Sequence, residues 1–168
     1  MAQLLGNALG GDPATCKLEV VRPLVRNSIL ALSATAKIEK EKNRVCRVLG
    51  EAHIPYISLK GARIRPCYPK PWMRTSCNNT YEVKNYHDIS LYSPSCTHLE
   101  LHFSILEDTE QIQVLSQVWA HSSPVPGSDG SEYEQSPEFF LFHLIAHMAY
   151  HFVHGGCGIP HFLDLFLL

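Results

Sequence analysis

The strongest constraint on the fold is a change of period along the chain. From Thr97 to Ile105, His98, Glu100 and His102 alternate with Leu99, Leu101 and Phe103. That is the period of two that puts successive side chains on opposite faces of a strand. On either side the period lengthens. Between residues 17 and 50, Val20, Val21, Leu24, Val25, Ile29, Leu32, Ile38, Val45, Val48 and Leu49 recur at steps of three and four, the helical spacing. Gly50 marks the expected end of that helix. Downstream, Pro137 opens a second helix over Glu138 to Val153, Gly155-Gly156-Cys157-Gly158 ends it, and a last helix begins near Pro160. Helical and strand periods in separate stretches predict an α+β fold, with one small mixed β-sheet carrying the Lys60 and Glu100 strands, flanked by helices, and a helical C-terminal part.

Shorter elements fill the gaps. Ile54 to Leu59 starts at a proline and is rich in β-branched and aromatic residues, so a strand is expected. Lys60-Gly61 follows, then a short helix over Ala62 to Arg65. Pro66, Pro69 and Pro71 predict a loop. Ile89 to Tyr92 pairs with the Thr97 strand across the Ser93 to Cys96 turn. Glu110 to Ala120 reads as an amphipathic helix, and His121 to Ser136 as a Ser/Gly/Pro/acidic loop. The expected organisation is a helical segment at 1–50, a sheet core at 51–120 and a C-terminal helical segment at 121–168. The closing run Phe162 to Leu168 is apolar and lacks a C-cap, which predicts a truncated helix. Apolar surface left open in that way leads to aggregation or to a homodimer that covers it.

Composition narrows the class of partner. The 168 residues are 45% hydrophobic and 18% charged, a globular balance. Lys and Arg total 14 against 16 Asp and Glu, a net charge of −2, with no basic stripe. Duplex nucleic acid is therefore not an expected partner, while a nucleotide or a short RNA end stays open. Lys37 to Arg44 is charged in both signs and reads as a solvated helix face. The longest apolar-rich stretch, Phe139 to Val153, is interrupted by histidines and too short to span a bilayer. Met1 to Gly11 has no basic region ahead of an apolar one, so no secretory signal is expected. The six cysteines are scattered without a C-x-x-C, as in a cytoplasmic protein with reduced thiols.

Three stretches together carry a resemblance. Ile54-Pro55-Tyr56-Ile57-Ser58-Leu59-Lys60-Gly61-Ala62, with Tyr68 to Cys77 after it, is the first. His98-Leu99-Glu100-Leu101-His102-Phe103 is the second. Leu144 to Phe152, with the Gly155 to Ile159 turn and Asp164, is the third. In this order they resemble an uncharacterised bacterial nucleotidyltransferase family of the DNA polymerase β superfamily, over roughly residues 44 to 168. The resemblance implies a nucleoside triphosphate and Mg²⁺ as ligands. It also implies an Asp-x-Asp pair after Cys77, where this chain has Asn78, Asn79 and Thr80. Few residues then separate Thr80 from Tyr86-His87-Asp88, which predicts an internal deletion beside the catalytic motif.

The chemistry explains why that departure matters. Nucleotidyl transfer needs metal ions to neutralise phosphate charge, and Mg²⁺ wants oxygen ligands, mostly carboxylate. By the resemblance Glu100 is the third carboxylate, while Asn78 and Thr80 hold the degenerate carboxylate positions. Neutral oxygens there predict a rate lowered by several orders of magnitude, each tenfold being ~1.4 kcal/mol. Lys60 fits a phosphate contact, with Gly61 allowing close approach. As a plain reading, Lys60 is a surface lysine and Gly61 a turn residue. Arg74 either holds a phosphate or pairs with an acid. Asp88 reads as a strand-edge residue. His143, His147 and His151 fall four residues apart on one helical face, with His154 a step on. Packing with bonds to backbone is one reading of them. Contact of His102, His147 and His151 with substrate is a second, and zinc ligation is a third. The function classes in play are thus a nucleotidyltransferase, a non-catalytic nucleotide- or protein-binding remnant, and a histidine-based metalloprotein. The acceptor stays open between protein, RNA, antibiotic and small metabolite.

Overall fold

The computed structural model describes residues 18–74, 88–93, 97–105 and 110–168. Asn78 and Thr80 lie outside the described residues. The fold is α+β, as the change of period predicts.

The first helix, α1, runs Leu18–Glu51. It outlasts Gly50, because the residue that ends it is His53, in the left-handed region at φ 52°. The Ile54 amide donates to the Leu49 carbonyl at 2.9 Å and the His53 amide to the Gly50 carbonyl at 2.9 Å, the paired bonds of a Schellman cap. Gly50 is small for another reason. A Cβ there would stand 2.6 Å from an Asp129 carboxylate oxygen. The charged stretch is a solvated face, with Lys42–Glu39, Arg44–Glu41 and Arg47–Glu51 ion pairs one turn apart. Pairs of this kind contribute about 0.3–0.5 kcal/mol each.

The expected single sheet is two sheets among the described residues. Strand β1 is only Tyr56–Ile57 and leads into α2, Lys60–Ile64, which starts two residues earlier than expected. The proline-rich loop contains two 3₁₀ turns, Arg65–Cys67 and Pro71–Met73. Strands β2 (Asp88–Tyr92) and β3 (His98–His102) form an antiparallel pair, with Ser90 opposite Glu100. Glu110–Gln117 is a 3₁₀ segment rather than an α-helix. The stretch expected as a loop supplies β4 (Ser122–Pro124) and β5 (Glu132–Gln135). Strand β5 is central in the other sheet, parallel to β1 and antiparallel to β4. The residues preceding Lys60 and those carrying Glu100 therefore belong to different sheets.

Helix α3, Pro137–His154, begins with Pro137 at its first position, and the Ser136 hydroxyl accepts from the Phe139 amide at 3.2 Å. It ends where the Gly155 and Gly156 amides donate to the His151 carbonyl, with Gly156 at φ 98°. Helix α4 is Ile159–Phe166. One core cluster joins Ile64 and Tyr68 to Phe140 and Leu144 of α3, with Leu163 of α4 against it. A second gathers Leu115, Phe139 and Ala146. The first cluster brings α2 and α4 together against α3, and a cleft lies between these elements and β3. No described helix is long and apolar enough to cross a membrane.

Candidate functional site

A cleft of about 1120 Å³ is lined by Lys60, Gly61, Arg74, Glu100, His102, His147 and His151. These seven described candidates for phosphate, metal or substrate contact meet there, whereas His143 and His154 of the histidine ladder do not line it. They come from α2, the Arg74 turn, β3 and α3. The cavity is large enough for a nucleotide, since small-ligand pockets run to roughly 300–1,000 Å³.

Lys60 is the first residue of α2 and sits in the left-handed region at φ 36°. A non-glycine residue held there costs about 1–3 kcal/mol, and such strain gathers at functional sites. Its Nζ lies 3.0 Å from His147 Nδ1. An ammonium can only donate, so the Nδ1 of His147 accepts and its proton is on Nε2. That Nε2 is 3.1 Å from His151 Nε2. A polar chain thus runs from α2 into α3: lysine, imidazole, imidazole.

Glu100, on β3, lies between two histidines. His102 Nε2 is 3.4 Å from one carboxylate oxygen and His98 Nδ1 is 3.8 Å from the other. The bond from His102 holds the carboxyl below its ordinary value. Partial burial opposes this, and the charges of His102, His98 and Lys60 add to the lowering. Lys60 and Glu100 therefore act on one another across the cleft. His98 is itself fixed by Ser90 Oγ at 2.9 Å and by stacking on Tyr92.

Of the two roles open to Arg74, the structure displays the acid pair. Its Nε and Nη2 donate to the Asp164 carboxylate at 3.1 and 2.8 Å, and the Tyr68 hydroxyl donates to the same carboxylate at 2.7 Å. Asp164 is 5% exposed. Burial first, then the bond to Asp164, raises the Tyr68 phenol. Gly61 belongs to this clamp, because a Cβ there would meet Arg74 Nη1 at 2.6 Å. Behind it the buried Arg65 bonds Glu39 of α1 at 3.4 Å.

The histidine ladder divides. His143 is 1% exposed, and its Nδ1 faces Gln135 Nε2 at 3.2 Å in the core. It does not join His147 and His151. Their third partner is His161 on α4, and nitrogens from these three rings fall within 4.8 Å of one another. Sequence reading missed His161, His98 and the Tyr68 bond. The available signal for His161 was the Gly155 to Gly158 turn, which folds the start of α4 back on the end of α3.

The fold and the cleft define an α+β protein with a polar, ligand-sized site on a lysine, a carboxylate and several imidazoles. Comparison with known families goes further. The model of a family described as an uncharacterised nucleotidyltransferase matches residues 77–168, more than half of the chain. The chain belongs to that family. The matched stretch contains Asn78, Thr80, Glu100, His102, His147, His151 and His161, whereas Lys60, Gly61 and Arg74 precede it. No curated protein and no solved structure matches the chain.

Proposed function

We propose that the cleft binds a nucleoside triphosphate, with the Lys60 ammonium on the phosphates and Glu100 as the acidic contact for an accompanying Mg²⁺. The supporting observation is the convergence of Lys60 and Glu100, from separate chain segments, on one cleft in a nucleotidyltransferase-family chain. The reaction is transfer of a nucleotidyl group from the triphosphate to an acceptor. It is slowed in this chain because Asn78 and Thr80 stand at the carboxylate positions. The described carboxylates on the cleft are Glu100 and Asp164, and Asp164 is committed to Arg74 and Tyr68. A two-ion carboxylate clamp does not fit that donor set, while one Mg²⁺ carried by the triphosphate's own oxygens does. Bound so, the ion supplies neutralisation of phosphate charge.

The protein's own groups do the rest. Lys60 leaves His147 to meet phosphate, a change of hydrogen-bond partner rather than a burial of new charge. The Nδ1 of His147 then accepts from the ligand or its water, while its Nε2 proton stays toward His151. Gly61 and Arg74 hold the edge of α2 against α4 and so fix where Lys60 starts. Calorimetry with ATP and GTP in Mg²⁺, on wild type and Lys60→Ala, tests the assignment. Binding by wild type that is lost in the variant is expected, and equal binding by both removes Lys60 from the site.

One observation favours a second reading. With neutral side chains at 78 and 80, a non-catalytic remnant that binds nucleotide or a protein would retain Lys60 and the cleft and lose only turnover. Binding without transfer of an α-labelled nucleotide would select it.

A further inference from the structure

His147 and His151 stand one turn apart on α3, and the Gly155 to Gly158 turn returns His161 to face them. Ring centroids are 4.3 Å apart for His147 and His151, 5.9 Å for His147 and His161, and 5.2 Å for His151 and His161. The two Nε2 atoms of His147 and His151 are 3.1 Å apart. Two nitrogens bound to one tetrahedral ion at ~2.0–2.1 Å are separated by about 3.3 Å, so this pair already has ligand spacing. His161 is prepared in another way. Its Nδ1 donates to the Gly158 carbonyl at 3.2 Å, leaving Nε2 as the nitrogen with a lone pair. A bond from the far ring nitrogen to a backbone carbonyl is how metal-ligating histidines are held in the right tautomer.

We propose that His147, His151 and His161 form a three-histidine site for a first-row transition-metal ion, with Zn²⁺ as the best fit, in the wall of the cleft. Imidazole nitrogen suits Zn²⁺ and its neighbours and does not suit Mg²⁺, which wants oxygen. The site is therefore of a different class from the Mg²⁺ contact at Glu100, and it stands if nucleotide binding fails. Three protein ligands leave one position of a tetrahedron open, as in zinc sites that bind water or substrate.

Lys60 regulates this site. While its ammonium donates to His147 Nδ1, the His147 proton is on Nε2, the nitrogen the metal needs. A metal on Nε2 requires the proton on Nδ1, so the ion and the Lys60 bond exclude each other. Removing the ammonium should tighten the metal.

Full-length protein freed of metal with a chelator is titrated with Zn²⁺ by calorimetry and with Co²⁺ by visible absorption. Wild type is expected to take one ion per chain at micromolar affinity or tighter, with Co²⁺ showing the visible bands of a low-coordinate nitrogen site. His161→Ala should weaken binding by about 100-fold or more, since even outer partners of a metal site are worth 10–100-fold. His154 donates to the Tyr150 carbonyl and stands outside the three-histidine cluster, so His154→Ala should bind as wild type does. Lys60→Met should bind more tightly. Circular dichroism checks each fold, and His151→Gln carries the test if His161→Ala unfolds. Absence of saturable binding in wild type, or equal affinity in wild type and the folded ligand variant, would overturn the site. Equal loss in His154→Ala would overturn it as well.

Discussion

The two charged groupings on the cleft are built to opposite standards. At one end Asp164 is buried and takes three hydrogen bonds from Arg74 and Tyr68 at 3.1 Å or less. At the other, Lys60, His147 and His151 are part-buried and bond chiefly through nitrogens whose proton positions can change, while Glu100 is half exposed between imidazoles. A buried carboxylate with a bidentate arginine and a phenol has no capacity left for a ligand, and removing one partner strands the others. A lysine bonded to an imidazole can exchange that partner for a phosphate, and the imidazole can exchange the lysine for a metal, at small cost. The difference separates a clamp from a site within one cavity, although both are made of the residue types that catalysis uses.

Breaking the clamp should give the largest effect. Asp164→Ala leaves Arg74 and Tyr68 without their acceptor and should destabilise the fold by about 3 kcal/mol, the low end for a broken buried pair because Arg74 keeps some solvent contact. Urea unfolding measures it, and a loss near zero would show that the clamp is ornamental. Gly61→Ala comes next. The added Cβ presses on a guanidinium that Asp164 holds in place, so a loss of about 1–2 kcal/mol is expected. The same variant should weaken nucleotide binding, because it moves the start of α2.

On the site side, stability should hardly respond. Lys60→Met loses the part-buried hydrogen bond to His147 and should cost below about 1 kcal/mol by the same unfolding experiment. A cost as large as that of Asp164→Ala would erase the distinction between the two ends. Glu100 should give the smallest effect. Its carboxyl is held low, through the His102 bond first, so its folded-state pKa lies below the unfolded one. Its contribution is present above the ordinary carboxylate range and is lost as pH falls through the lowered value. Glu100→Gln should therefore lower stability slightly at neutral pH, leave it unchanged below the lowered value, and so flatten the acid limb of the stability profile. No change at neutral pH would mean that the His102 bond to Glu100 contributes nothing to the fold.

The elements that read correctly from sequence are those whose apolar residues repeat. Helix α1 and helix α3 follow the period of 3.6, and β3 follows the alternation of His98, Glu100 and His102 with leucine. The hairpin of β4 and β5 was not readable. Its strand Glu132-Tyr133-Glu134-Gln135 has one apolar residue and is held by backbone pairing to β1 and β4, which leaves no hydrophobic pattern. The cap at His53 was hidden because a histidine occupies the place where glycine is the usual signal. Among the candidate residues, Lys60 and Glu100 were singled out by the family resemblance and His147 and His151 by helical spacing and that resemblance, and all four line the cleft. The role of Arg74 depended on Asp164, ninety residues away, and that of His161 on how the Gly155 to Gly158 turn folds. Long-range partners of this kind are decided by packing, which no local spacing encodes.

The central claim is that Lys60 makes the cleft a triphosphate site without holding the fold together. Thermal unfolding of wild type and Lys60→Ala, each with rising MgATP and MgGTP, tests both halves at once. A ligand that binds the native state stabilises it by about 2.7 kcal/mol at a hundredfold excess over its dissociation constant. The account predicts that the two proteins melt within a few degrees of each other without ligand, and that only wild type climbs with nucleotide. Parallel climbing of both proteins, or a flat wild type, would contradict it.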